Sequence, residues 1–501
     1  MRICDILPEG LREEIEKAAE IIKGSEHVLI VSHIDTDGIT SLAILIRALE
    51  RALINPTWMN LKQLNAQTLN QVLDILSRNN YDTLIFSDMG TGQIIEVLRA
   101  LKPGMINNLI VIDHHLAPHN ISLSREYADS LNITLTHVNP LLFGLNGSKD
   151  VSSSGIAFLV AICLNENNYD LADLAIIGAT GDMQYYYGKG YTGINGEIIK
   201  LGEEMGILRL EKDLTFYGRE TRILPILLEY ATDPFLPGLT GNRDECINFL
   251  NYVGIELKDG EKWRTWRDLE SEEKAALIEA IIEHLITNSN EQNIQIIGDC
   301  VSLLNWPEGT ELHDAKEFST LLNACGRNGK PEIGVKICLR DSEAYQKGLY
   351  LLQTHRANLA AALSKIQEKG VEDRGNFYIF EDNEISETII GIVIGMAIGS
   401  RLIPIDKPVF GITRSKEESK NLAKISGRLG KNLLSKGINL KEALQYAQNE
   451  LNSEVGRVVA ESGGHPMAAG AFVEFEFLDD FLAFLDLAIA EQIAKKKKSK
   501  R

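Results

Sequence analysis

Apolar positions follow two rhythms along this chain. Residues 11–23 carry them at helical spacing, and HVLIVSH (27–33) follows as a continuous apolar run of the buried-strand type. ITSLAILIRALERAL (39–53) reads as a helix, DTLIFSD (82–88) as a strand, QIIEVLRAL (93–101) as a helix and NLIVIDHH (108–115) as a strand. Strands alternating with helices predict βαβ units and a parallel sheet. The loop NPLLFGLNGSKDVSSSG (139–155) precedes a helix from about residue 156, and 171–179 predicts a second helix ending near Gly181-Asp182.

From 190 to 310 the pattern turns largely helical, as in 274–287. After 311 it is mixed again: helix 317–325, strand 333–339, long helix 342–369, strand 377–380, a glycine-rich apolar helix, then strand PVFGIT (408–413). These shifts predict segments 1–189, 190–310 and 311–490, with a tail 491–501 whose KKKKSKR end reads as disordered. GKGYTGING (188–196) is glycine-rich but follows no strand, and reads as linker.

Length and composition narrow the class. At 501 residues, 44% apolar and 24% charged, the chain is an ordinary soluble globular protein with room for about three domains. Its net charge of −19 excludes a uniformly basic nucleic-acid coat. The charge is uneven, however: −9 over 1–189, −11 over 190–310 and +1 over 311–501, with a local +7 over 407–441 that can follow a phosphate backbone. The acidic middle segment suits a protein partner better than phosphates. Six cysteines without a CxxC pair argue against a disulfide framework and suit a reducing cytoplasm. The first 20 residues lack an apolar signal core, and the most apolar run (388–400) is shorter than the ~20 residues a bilayer needs, so no membrane association is expected.

Four acid or histidine groups stand just after apolar runs or at a helix end: His33-Ile-Asp35-Thr-Asp37-Gly38, Asp88, Asp113-His114-His115, and Asp182. In an open α/β sheet the crevice lies at the carboxyl ends of the strands, where the first three should converge. A lone Asp after a strand is usually a helix cap; HxDxDG followed by DHH behind a later buried strand is a different matter. Oxygen ligands with two imidazoles and no thiolate favour Mn²⁺ or Mg²⁺ over structural zinc. Asp35, Asp37, Asp88 and Asp182 together carry the charge that two divalent ions would neutralise, and such a pair suits in-line attack on a phosphodiester. GRLGKN (427–432) lacks Walker spacing, and neither GxSxG nor HExxH occurs.

HIDTDG, FSD, IDHH and TGD resemble, in order, the four motifs of the DHH phosphoesterase superfamily. NACGR (323–327), SGR (426–428) and GGHPMAAG (463–470) resemble the DHH-associated C-terminal domain. The resemblance implies an α/β protein: a parallel-sheet DHH domain, a mostly helical interdomain insert, and a smaller mixed α/β domain across a cleft. It also implies two Mn²⁺ per chain, with Mg²⁺ as substitute: one ion held by His33, Asp35 and bridging Asp88, the other by Asp37, Asp88, His114 and Asp182. His115 would then contact the scissile phosphate, with Asp113 orienting the histidine pair. Arg327, Ser426, Arg428 and His465 would hold substrate phosphates, with Gly463 and Gly464 allowing close approach. The acidic insert, including YGRETR (217–222) and DPFLPGLTG (233–241), looks most like archaeal RecJ-like nucleases of the GAN type. That implies a metal-dependent single-strand exonuclease on DNA or RNA, 5′→3′ on DNA, in replication or repair. Two other readings stay open: an oligoribonuclease or cyclic-dinucleotide phosphodiesterase, and a replisome scaffold binding GINS and the MCM helicase through the acidic insert.

Overall fold

The computed structural model describes residues 3–118, 120–186, 190–288, 295–415 and 421–499. They form two compact units, Met1–Leu227 with Ile247–Gln353, and Leu228–Cys246 with Thr354–Arg501.

The first unit is built on a five-stranded parallel sheet of β1 (Val28–His33), β2 (Thr57–Leu61), β3 (Thr83–Ser87), β4 (Asn108–Ile112) and β5 (Thr134–Val138), in the order β2-β1-β3-β4-β5. Alternate side chains serve two cores. Ile30, Ile85 and Ile110 pack with α1 (Glu9–Lys23), α2 (Thr36–Arg51), α3 (Ser153–Leu164) and α4 (Ala172–Gly181). Val31, Phe86 and Val111 pack with the helices Ala66–Arg78 and Ile94–Ala100 on the opposite face. Both faces are covered, which is why the strands read as unbroken apolar runs. β2 and β5 were not evident in that pattern, because TWMNL and TLTHV mix polar residues into edge strands.

The middle segment is closed at its base by an antiparallel ribbon, β6 (Leu208–Leu214) against β7 (Ile297–Leu303). Arg219 of the YGRETR motif is buried beside it, with Nη1 on Asp213 Oδ2 at 2.5 Å and Nη2 on Asp314 Oδ2 at 2.8 Å. The Trp266 Nε1–H donates to the same Asp213 carboxylate at 2.9 Å. YGRETR therefore staples the ribbon to the start of α5 (Ala315–Arg327), where Glu317 accepts the Glu220 N–H and the Thr221 hydroxyl.

Several expectations need correcting. Residues 333–339 are not a strand: α6 (Pro331–Cys338) is helical, opened by Pro331 at its first turn and packed on α2 and α5. The apolar alternation there suits either structure, and burial of Val335, Ile337 and Cys338 against two helices decides it. A break at 310/311 is not where the units divide, because α5 and α6 pack against α2 and α4; the division falls inside the helix Ser342–Lys369. GKGYTGING is not simply linker: Gly190–Tyr191 pairs with Tyr185–Tyr186, and a helix opens at Gly193. Gly188 and Lys189 lie outside the described residues, as do 416–420 of the basic stretch and Lys500 and Arg501 of the tail.

The second unit carries a mixed sheet of β8 (Glu372–Asp373), β9 (Tyr378–Glu381), β10 (Val409–Arg414), β11 (Leu422–Arg428), β12 (Ala460–Gly464) and β13 (Ala468–Glu474), ordered β8-β9-β10-β11-β13-β12. α7 (Ile390–Gly399) lies on one face; α8 (Leu440–Val455) and α9 (Leu478–Ser499) cover the other with Leu444, Phe481 and Leu485. The backbone of α9 runs to Ser499, so the start of the lysine-rich tail continues a helix. Lysine is a good helix former and simply extends a helix that Ile489 already anchors in the core. Among the described residues, no helix is long and apolar enough to cross a membrane.

Candidate active site

The carboxyl ends of three adjacent strands place the first three groups together. His33 ends β1, Asp88 follows β3, and Asp113 to His115 follow β4. The Asp88 and Asp113 N–H groups extend the ladders by donating to Ile112 O and Val138 O. Asp88 then turns away with φ 59°, a left-handed conformation that Asp and Asn adopt more readily than most residues. Asp35 caps α2 by accepting the Gly38 N–H at 3.0 Å, which fixes the HIDTDG loop.

Each ligand candidate is held from behind. Asp37 lies at the N-terminus of α3, where Ser153 N–H donates to Oδ2 at 2.7 Å and Ser154 donates to Oδ1 from N–H (3.0 Å) and Oγ (2.6 Å). Ser153 Oγ donates to Asp88 Oδ1 at 3.1 Å. Asp113 Oδ1 receives His115 Nδ1–H at 2.7 Å, and Oδ2 receives the Thr91 N–H at 2.9 Å. Asn139 Nδ2 reaches both Thr91 Oγ1 and His115 O, and Thr91 Oγ1 meets His137 Nε2 at 2.9 Å. Gln184 donates to Asp182 Oδ2 at 2.9 Å and is held in turn by Asn195.

The histidines show what the cluster is built for. His114 donates from Nδ1 to Gly147 O at 2.6 Å, which leaves the Nε2 lone pair facing inward. Around Nε2 stand Asp88 Oδ1 at 3.4 Å, with Asp37 Oδ2 and Asp182 Oδ2 at 3.7 Å. His33 donates from Nε2 to Lys62 O at 3.1 Å, and its Nδ1 faces Asp35 Oδ2 at 3.0 Å and Asp88 Oδ2 at 3.5 Å. These are ion-pair distances without hydrogen-bond alignment: His33 Nδ1, Asp88 Oδ2 and His114 Nε2 are buried and have no hydrogen-bond partner among the described residues. Buried polar atoms left so would be costly, and all three point into the cluster. Asp88 faces both histidines, one through each carboxylate oxygen. Two groups, His33-Asp35-Asp88 and Asp88-His114-His115, bring their ligand atoms within 4.8 Å of one another. The donor set fits divalent cations, with Asp88 shared between two positions.

Electrostatics agree that the pocket wants positive charge. Burial, then Asp88 and Asp182, push the Asp37 carboxyl up to about 7 against the pull of His114. Burial would raise Asp88 too, but His114 and His33 carry it well below the carboxylate range. Burial would likewise depress His115, yet Asp113 lifts it to about 9. Burial takes His137 down to about 4 against the upward pull of Asp113.

The remaining sequence-derived residues divide between the units. Arg327 belongs to the first unit and not, with NACGR, to the C-terminal one. Burial lowers its pKa and Asp35 raises it, which places the guanidinium beside the HIDTDG loop. α5 is pressed onto that loop: Thr36 donates from N–H to Asn323 Oδ1 and from Oγ1 to Ser319 O, and a Cβ at Gly326 would overlap the Ile34 carbonyl. Ser426, Arg428, Gly463, Gly464 and His465 gather in the second unit. Ser426 and Arg428 lie on β11 opposite Gly470 and Ala468, Gly463 and Gly464 end β12, and His465 opens the turn into β13.

Sequence reasoning missed the supporting layer: Ser153, Ser154, Thr91, Asn139 and Gln184. Only VSSSG before an apolar helix was a visible signal, as a run of capping residues.

Comparison with known proteins agrees with this architecture. Residues 27–179 match the DHH family N-terminal domain, 216–297 the DHH-CID domain and 375–491 the DHHA1 domain. The chain belongs to the DHH phosphoesterase superfamily, a class of metal-dependent phosphodiester hydrolases. It is 30% identical over 493 residues to an uncharacterized protein of Methanocaldococcus jannaschii, covering 96% of this chain and 99% of that one. Its fold is RecJ-like. RecJ of Thermus thermophilus, solved with Mn²⁺, aligns at a TM-score of 0.57 and 18% identity over 97% of this chain. This chain spans 55% of the length of that RecJ. CDC45 of Entamoeba histolytica aligns at 0.61 and 14% identity, covering 96% of this chain and 98% of the other.

Proposed function

We propose that this protein is a two-metal, Mn²⁺-using exonuclease that removes nucleotides from single-stranded DNA or RNA, acting 5′→3′ on DNA. The observation that carries it is the pair of histidine lone pairs facing one shared carboxylate, Asp88. His33, Asp35 and Asp88 would hold one ion, and Asp37, Asp88, His114 and Asp182 the other. When bound, such a pair activates water and stabilises charge on phosphate oxygens. The chain's own contribution is orientation: Gly147 O and Lys62 O fix the two ring tautomers. His115, engaged by Asp113 at Nδ1, keeps Nε2 for the scissile phosphate. Ser426, Arg428, His465 and the glycines Gly463 and Gly464 serve as ligands for a substrate phosphate, and Arg327 as a cation beside the metal loop. Mn²⁺-dependent digestion of end-labelled single-stranded DNA and RNA, beside cyclic di-AMP, tests the reading. Mononucleotides released from the 5′ end of the DNA are expected. Turnover of short or cyclic substrates alone would move the protein to the oligoribonuclease and cyclic-dinucleotide branch.

A second reading rests on the CDC45 likeness along nearly the whole chain and on the acidic middle segment: a replisome role in which that segment binds GINS and, with it, the MCM helicase. Its helix Ser271–Asn288 exposes Glu272, Glu279 and Glu283. Reversing these three charges should abolish capture of GINS, and unchanged capture would remove that reading.

A further inference from the structure

The glycine-rich run GKGYTGING carries two residues, Gly193 and Asn195, that stand behind one half of the acid and histidine cluster. The link to them is Gln184. α4 ends at Gly181, and Met183 takes a left-handed conformation (φ 55°) that turns the chain back, with the Gln184 N–H donating to Ala179 O at 2.9 Å. That turn folds the Gln184 side chain onto the carboxylate two residues before it. Gln184 is wholly buried, and both its amide protons have acceptors: Asp182 Oδ2 at 2.9 Å and Gly147 O at 2.8 Å. Gly147 O is the carbonyl that also accepts His114 Nδ1–H.

The same amide governs which tautomer His114 adopts. Its nitrogen lies 3.3 Å from His114 Nδ1. With both protons aimed elsewhere it has none to give that ring nitrogen, so Nδ1 keeps its own proton and the ring's Nε2 keeps its lone pair. A flipped Gln184 would set oxygen against Asp182 and Gly147 O. Asn195 opposes the flip by donating from Nδ2 to Gln184 Oε1 at 2.8 Å. Asn195 is itself buried in the first turn of the helix Gly193–Glu204, and its N–H donates to Asp150 O at 2.9 Å. Gly193 (φ 57°) lets the chain lie against Asp150, where a Cβ would come within 2.6 Å. A Cβ on Gly147 would overlap His114 O. The loop under His114 and the helix behind Gln184 are thus pinned together.

A buried glutamine is most often satisfied packing. Here its hydrogen bonds lead to Asp182, to the carbonyl under His114 and to Asn195, and none leads to His33 or Asp35. Need differs as well. The Asp37 side chain is 2% exposed and has three donors behind it, whereas that of Asp182 is 33% exposed. Among the described residues Asp182 receives one side-chain hydrogen bond, from Gln184.

We propose that Gln184, held by Asn195, is a positioning residue for the second of the two proposed ions: it sets His114 and Asp182 as a pair, and the position at His33 and Asp35 does not depend on it. The inference rests on the two-ion reading of the cluster.

The test titrates the full chain with Mn²⁺ by equilibrium dialysis and calorimetry, and follows hydrolysis of single-stranded DNA across Mn²⁺ concentration. The wild type should bind two equivalents. Gln184→Met keeps the bulk and removes both donors, so one equivalent should weaken by about 10–100-fold while the other keeps its affinity. Asn195→Asp touches none of the proposed ligands, yet it should weaken the same equivalent by turning the Gln184 amide around. Saturating Mn²⁺ should return most of the hydrolysis rate in both variants, because the ligands themselves are intact. Asp35→Asn should weaken the other equivalent, and its combination with Gln184→Met should weaken both. Two equivalents at wild-type affinity in Gln184→Met would overturn the proposal. So would equal weakening of both, or a double variant that still holds one equivalent at full affinity. A wild type that binds fewer than two would instead remove the two-ion reading beneath it.

Discussion

In the acid and histidine cluster Asp37, Asp88, Asp113 and His114 are almost wholly buried, whereas in the second sheet Gly463, Gly464 and His465 stand in solvent. The first site concentrates charge where water cannot screen it, so each acid needs fixed donors behind it: Ser153, Ser154 and Thr91. The second presents Gly463, Gly464 and His465 at the surface, with little buried charge to support. The two sites therefore tolerate change differently. Substitution at the centre disturbs a coupled network, and substitution on the open face removes one contact at a time.

Asp88→Ala removes the one carboxylate that faces both histidines, and Mn²⁺-dependent hydrolysis should fall by on the order of 10³-fold or more, with the far-ultraviolet circular dichroism unchanged. Substantial residual activity would show that the two ligand groups work independently. Away from that cluster, Arg219→Met leaves buried Asp314 and half-buried Asp213 without their guanidinium. It should destabilise the first unit by about 3–5 kcal/mol in urea; a smaller loss would mean that the ribbon relaxes to hydrate them.

Asp173 sharpens the rule that burial governs the first unit. Burial lifts its carboxyl to about 6 despite the Trp306 Nε1–H at 2.7 Å. Between about pH 4 and pH 6 the folded chain therefore holds more protons at this site than the unfolded one. Stability falls as pH rises through that window, by about 3 kcal/mol from this group, and levels off above it. The difference in urea midpoint between Asp173→Asn and wild type should grow in the variant's favour across that range; a pH-independent difference would place the carboxyl in a wetter setting. On the exposed side, His465→Ala should change stability by no more than about 0.5 kcal/mol while raising KM for strand cleavage. A loss of stability as large as at Arg219 would mean that the GGH turn is structural.

How much of this was legible follows from distance along the chain. The parallel sheet and the clusters behind β1, β3 and β4 are local patterns, since an apolar run followed by acids carries its own placement. The orienting role of Asp113 came only from the family resemblance, and the fold supplies the contact, His115 Nδ1–H to Asp113 Oδ1. Arg327 could not be placed, because its neighbour Asp35 lies almost 300 residues earlier and nothing local in NACGR marks the contact. α6 was misread because alternation over a short apolar run does not distinguish a strand from a helix buried on two sides. The supporting hydroxyls and amides were invisible because Ser, Thr and Asn occur everywhere, and only the fold gathers them.

The seat of α5 on the HIDTDG loop has a consequence in time. A chain emerging from the ribosome displays all six acids and histidines proposed as ligands once Asp182 is out, yet Ser319 and Asn323, which grip Thr36, are made some 140 residues later. Until then the loop that carries Asp35 and Asp37 lacks its wall. A nascent or prematurely ended chain thus holds these acids and histidines without the helix that seats their loop.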